Sequence, residues 1–163
     1  MVIVIFEKSY IRGTKMDIEV YFKKIYTVAF RLTGNEKAAS ELASKAILKY
    51  VKELDSNGDV TSYIFKTTVL KVFKIFLEVS DTYSIYENTA IHNKKSKDKI
   101  QSLQEALLNL KPLNRVVVIW KDVLNFHLYD LMSSINCNKK ELNDELSRGY
   151  RQIKEYLIKN YSK

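Results

Sequence analysis

The run Asp17-Ile18-Glu19-Val20-Tyr21-Phe22-Lys23-Lys24-Ile25-Tyr26-Thr27-Val28-Ala29-Phe30-Arg31-Leu32-Thr33-Gly34-Asn35 carries the strongest helix signal in the chain. Ile18, Tyr21, Phe22, Ile25, Val28, Ala29 and Leu32 recur at three- and four-residue steps, which lines them up on one face of a helix. Gly34 is a natural stop, because a glycine tolerates the left-handed backbone that ends a helix, and Asn35 is a natural N-cap for the next one. That second helix is predicted to bury Ala38, Leu42, Ala43, Ala46, Ile47, Tyr50, Val51 and Leu54, and to end at the turn Ser56-Asn57-Gly58.

Working outward, a third helix is predicted from about Val60 to Val79, with Ile64, Val72, Phe73, Phe76 and Leu77 apolar and Lys66, Lys71 and Lys74 spaced to reach solvent. From Ser80 to Lys99 the chain turns polar, ends in Asn93-Lys94-Lys95-Ser96-Lys97-Asp98-Lys99 and carries no apolar stripe, which reads as a linker. Beyond it, Leu103, Ala106, Leu107 and Leu110 predict a short helix, and Pro112 suits the first turn of another bearing Val116, Val117, Ile119, Trp120, Val123 and Leu124. After Asn125 a brief helix holds Leu128, Leu131 and Met132. The turn Ser133-Ser134-Ile135-Asn136 follows, and Asn138 with Glu141 forms a capping box for a last helix bearing Leu142, Leu146, Tyr150, Ile153 and Leu157. Helix, short turn and helix near the C-terminus outline a helix-turn-helix. The expected fold is all-α, with small helical domains at 17–80 and 101–163, a polar linker at 81–100 and an N-terminal extension at 1–16. The extension reads either as an extra strand or arm, or as residues ahead of a natural start at Met16.

Composition agrees with helices: apolar residues are 46% of the 163, while a single proline and four glycines leave few turns for a many-stranded protein. A net charge of +8 points to an anionic partner such as nucleic acid without naming one. The excess is spread out, with 13 Lys and Arg against 9 Asp and Glu in residues 1–80, 4 against 3 in 81–100, and 10 against 7 in 101–163. Cys137 is the only cysteine, so no internal disulfide or cysteine-rich zinc site is expected, and a cytoplasmic location is the simpler reading. The opening Met1-Val2-Ile3-Val4-Ile5-Phe6 is far shorter than the roughly 20 residues of a membrane span and lacks the basic start of a secretory signal, so no membrane association is expected. His92 and His127 have no carboxylate or cysteine at ligand spacing. With no phosphate-cradling loop and no nucleophile–base pair either, neither an enzyme nor a metal or cofactor is expected.

Two stretches together carry a resemblance. Tyr26-Thr27-Val28-Ala29-Phe30-Arg31-Leu32-Thr33-Gly34-Asn35, followed by Ala38-Ala39-Ser40-Glu41-Leu42, resembles conserved region 2 of bacterial RNA polymerase sigma factors of the extracytoplasmic-function (ECF) group. Leu107-Leu108-Asn109-Leu110-Lys111-Pro112-Leu113-Asn114-Arg115-Val116-Val117, continuing through Asp122-Val123 to Leu146-Ser147-Arg148-Gly149-Tyr150-Arg151, resembles region 4. The likeness covers most of residues 17–160 and implies a region 2 bundle of the three-helix type and a region 4 helix-turn-helix. It also implies that the chain directs core RNA polymerase to promoters for transcription initiation. In that group region 2 docks on the clamp helices of the polymerase large subunit and opens promoter DNA, region 4 reads a more distant promoter element, and an anti-sigma factor often clamps the two.

By position, the resemblance assigns polymerase contact to Glu41, Leu42, Ser44 and Lys45, with Ser44 standing where the group has a Gln. On the third helix Leu70 replaces a familiar Asn. A basic, aromatic surface survives there, with Lys66, Lys71 and Lys74 suited to phosphates and Tyr63, Phe65 or Phe73 suited to stacking an unpaired base. Aromatics at helical spacing are more often core, and Phe73 and Phe76 are expected there. On the recognition helix the expected DNA contacts are Lys139, Lys140, Asn143, Arg148 and Arg151, beside the acidic Glu141, Asp144 and Glu145. Cys137 and Trp120 are expected to pack in the core. Against a working sigma factor stand two alternatives: a sigma-like interaction protein that binds polymerase or a partner yet cannot read or melt a promoter alone, and a helical structural protein of accidental likeness.

Overall fold

Asp17 and Asn35 each open a helix by accepting a backbone N–H with their side chains, from Glu19 at 2.7 Å and from Ala38 at 2.9 Å. Between them α1 (Ile18–Thr33) closes on Gly34, whose φ of 64° is the left-handed stop expected of it, and α2 (Glu36–Leu48) follows directly. The computed structural model describes residues 15–51, 59–90 and 99–161, the side chains of 81–90 excepted. The fold is all-α: α1 and α2 are followed by α3 (Ser62–Ala90), α4 (Lys99–Leu108), α5 (Pro112–Val118), a π-helical turn (Ile119–Val123), α6 (Leu128–Ile135) and α7 (Lys139–Tyr161). One short antiparallel ladder, β1 (Met16–Asp17) with β2 (Asp59–Val60), sets Met16 opposite Val60, both buried. No helix among the described residues is long and apolar enough to cross a membrane.

Two expectations shift. α2 ends at Leu48, earlier than the apolar pattern suggested, so Val51 is exposed rather than buried. α3 runs on from Val79 to Ala90, into residues read as linker, because nothing from Ser80 to Lys99 is a proline or glycine that would stop it. Leu54, the Ser56-Asn57-Gly58 turn, His92, Asn93 to Asp98 and the arm at 1–14 lie outside the described residues.

In the first half, Tyr21, Ile25, Val28, Ala29 and Leu32 of α1 pack with Leu42, Ala43 and Ala46 of α2 and with Val69, Val72, Phe73 and Phe76 of α3. The buried Tyr21 hydroxyl is satisfied by Thr68 at 2.7 Å. In the second half, Val116 to Trp120 pack with Leu107, Leu131, Leu142 and Ile153. Pro112 sits in the first turn of α5, where its missing N–H costs nothing. A methyl group on Gly149 of α7 would come within 2.7 Å of Val118, so glycine lets these two helices approach.

The two halves share one connected set of buried residues. Phe73 of α3 meets Trp120 edge-on at 5.8 Å between ring centres, Trp120 meets Phe126 at 4.6 Å, and Phe126 meets Phe65 of α3 at 6.3 Å. Burying aromatic rings of this size stabilises by about 3 kcal/mol each. Trp120 is fully buried, as expected, and its indole N–H donates to the His127 carbonyl at 2.8 Å. The C-terminal end of α1 is closed off by the other half. Arg115, 2% exposed, donates to the carbonyls of Leu32, Leu108 at 2.7 Å and Leu110 at 3.0 Å, and its guanidinium lies over the Phe76 ring. Gln104 accepts from Arg31 at 2.8 Å and donates to the carbonyls of Phe30 and Arg31. A cation at this place also meets the negative end of the α1 dipole.

Candidate functional site

α1 carries more apolar side chains than its inward stripe can use. Phe22 and Tyr26, four residues apart, fall beside that stripe and stay about 40% exposed. On α2 the facing residues Ser40, Ala43 and Ser44 are small, and the larger Ile47 and Leu48 close one end. A groove of about 370 Å³ results, lined by Phe22, Tyr26, Ser40, Ala43, Ser44, Ile47 and Leu48. Leu48 is 72% exposed. Phe22 was expected to point inward, and a stripe read at helical spacing does not separate a side chain at its edge from one at its centre.

Of the four residues assigned to polymerase contact, Ser44 lines this groove, and Glu41 and Lys45, one position further round α2, are exposed. Leu42 is corrected: it is fully buried between the helices of the first half and presents no surface. It holds α2 in place and does not contact a partner in this conformation.

On α3 the exposed members of the basic, aromatic set are Tyr63 and Lys74, with Lys71 half-buried. Phe65 and Phe73 are corrected as stacking residues, since both are buried at the junction with Trp120 and Phe126. Phe73 and Phe76 are core, as expected. Lys66 is not free to meet a phosphate: its ammonium binds the Asp130 carboxylate of α6 at 2.5 Å and lies 5.3 Å from the centre of the Phe126 ring.

α6, a turn at 136–138 and α7 form the helix, turn, helix arrangement. Asn136 ends α6 in the left-handed conformation, and the capping box forms as expected: Asn138 accepts from the Glu141 N–H at 2.9 Å, and Glu141 accepts from the Asn138 N–H at 2.7 Å. Lys139, Lys140, Asn143 and Arg151 are exposed, and the Asn143 amide donates to the Lys139 carbonyl at 2.9 Å. Arg148 pairs with Glu145 at 2.5 Å, and Glu145 also accepts from Asn114 of α5. Two of the three acids at the start of α7 are therefore bound by their own neighbours, which leaves Asp144 as the outward one. Burial first, then the charges of Glu141 and Glu145, push the half-buried Cys137 thiol up. It packs against the core, as expected.

The arrangement of the helices among the described residues has a counterpart among solved structures. The sigma factor RpoE from Bartonella quintana, in its complex with the anti-sigma factor NepR, superposes with a TM-score of 0.60 over 86% of this chain and 93% of that one, at 14% identity. This fold is sigma-factor-like. No family model matches the chain, and no curated protein does. Sequence reasoning missed what the sigma-like fold does with three buried polar residues, Arg115 and Gln104 between its halves and Asn114 between α5 and α7 of the second half. Nothing local marks them, because their partners lie as far as 83 residues away.

Proposed function

We propose that this protein is a divergent sigma-like factor that binds core RNA polymerase through the α1–α2 groove and brings it to promoters for transcription initiation. The observation that carries this reading is the exposed apolar groove beside Glu41 and Lys45, on a fold shared with a sigma factor. A groove of this form suits one side of a partner helix, with Phe22, Tyr26, Ile47 and Leu48 receiving its apolar side chains and Glu41, Ser44 and Lys45 its polar ones. The clamp helices of the polymerase large subunit are the partner we assign to it. Promoter DNA is assigned to Tyr63, Lys66, Lys71 and Lys74 on α3 and to Lys139, Lys140, Asn143, Arg148 and Arg151 on α7, within regions 2 and 4 of an ECF-type organisation with domains at 17–80 and 101–163. The role is non-enzymatic and cytoplasmic, and an anti-sigma factor is a further partner by analogy with the complex of RpoE with NepR.

A second reading is favoured by one observation. Lys66 is held by Asp130, which suits a sigma-like interaction protein that binds polymerase without melting or reading a promoter by itself. One experiment separates the two. Purified protein is mixed with core RNA polymerase, and both co-elution and the start sites of transcripts on genomic DNA are read. Co-elution with defined start sites is the expected result, co-elution without them selects the second reading, and no co-elution overturns both.

A further inference from the structure

Neither the α1–α2 groove nor the basic DNA contacts use the acids at the start of α7, and one of them sits where a base would be read. Leu142, Gly149 and Ile153 are buried and fix the inward face of α7. At helical spacing the opposite face carries Lys140, Asn143, Asp144, Ser147, Arg148 and Arg151, all of them exposed. The Glu141 carboxylate turns back to the Asn138 N–H, and Glu145 is tied to Asn114 and Arg148. Within the first two turns Asp144 is therefore the acid on the outward face, with Lys140 one turn before it and Arg148 one turn after. The opening turns of a recognition helix meet base edges in the major groove, where the surrounding phosphates repel a carboxylate. A carboxylate there can only accept, and the donors that base pairs offer in that groove are the exocyclic amino groups of cytosine and adenine. Adenine sets its N7 acceptor beside its amino group, against a carboxylate, whereas cytosine presents its N4 amino group alone.

We propose that Asp144 is a specificity-determining residue that accepts a hydrogen bond from the N4 amino group of a cytosine, so that α7 selects a C·G pair at one position of its DNA element. The inference rests on the assignment of α7 to promoter DNA and names one base that it reads. Where that pair is absent, the carboxylate faces acceptors or a methyl group, and its repulsion from the phosphates goes uncompensated. One acid on a basic face thus becomes discrimination against wrong sites.

The test is selection from a pool of randomised DNA duplexes by the full chain bound to core RNA polymerase, followed by binding curves on the recovered sequence and on its single-pair variants. The native chain is expected to recover a C·G pair at one position and to lose roughly tenfold in affinity when that pair becomes T·A. Asp144→Asn is expected to shrink that loss to about twofold or less while preferences at the other positions stay. Glu155→Gln, at an exposed acid three turns further along α7, is the control and is expected to keep the C·G preference. Both side chains are exposed, so the core is undisturbed, which equal thermal transitions verify. An Asp144→Asn chain that keeps the C·G preference overturns the inference. So does one that binds every duplex more tightly by the same factor, because the acid then acts only as a uniform repulsion. Polymerase binding without any selection by the native chain overturns the inference together with the assignment of α7 to DNA, and failure to bind polymerase sinks the sigma-like reading and the inference with it.

Discussion

Gly34 holds two duties at one backbone position. Its φ of 64° ends α1, and a methyl group placed on it would come within 2.4 Å of the Leu108 side chain from the other half. Gly34→Ala therefore meets both the left-handed penalty and an overpacked contact, and is expected to cost about 3 kcal/mol. On a chain of this size that lowers the thermal midpoint by roughly 10 °C, read by circular dichroism. The first of these duties is legible in the sequence, because a glycine followed by an asparagine between two apolar patterns is a local signal. The second is not, since Leu108 is remote in the chain. Arg115 makes the same point more sharply: its residue type predicts an exposed side chain, and its burial follows from carbonyls that only the folded chain brings to it.

Helices were the most readable level, and the reason is periodicity. α1, the cap at Asn35, the proline start of α5 and the capping box of α7 all follow from spacings of three or four residues. The end of α3 does not, because the polarity of residues 80–90 resembles that of a linker while the absence of proline and glycine lets the helix continue. Faces were harder than elements. Leu42 and Glu41 are neighbours in sequence, yet α2 turns one into the core and the other to solvent, so the candidate site keeps Glu41 and loses Leu42. Glu41→Lys reverses charge on that exposed edge and is expected to abolish co-elution with core polymerase while leaving the far-ultraviolet spectrum unchanged. Glu155→Lys, an equally exposed reversal on α7, is the matched control. Unaltered binding by Glu41→Lys would remove α2 from the interface.

Taken whole, the molecule joins its halves through aromatic rings and through hydrogen bonds to one helix end, and it is expected to unfold in a single transition followed equally by Trp120 fluorescence and by helix content. Its stability has an alkaline limit. Tyr21 is pushed above its ordinary pKa of 10.0 first by burial, Tyr150 by burial and then Asp122, and Tyr156 by burial and then Glu105. Tyr161, through its hydrogen bond to Glu105, is pushed up to about 12. Below pH 10 these phenols are protonated in both states and add no pH dependence. Above it the unfolded chain releases protons that the fold retains, so stability falls as pH rises from about 10 toward 12, and the urea midpoint is expected to decline over that window. The closure of α1 by Gln104 and Arg115 has a consequence for inheritance as well. A chimera that trades either half for that of another sigma-like chain brings its own helix end to a cap shaped for a different one, so these halves can be exchanged only as a matched pair.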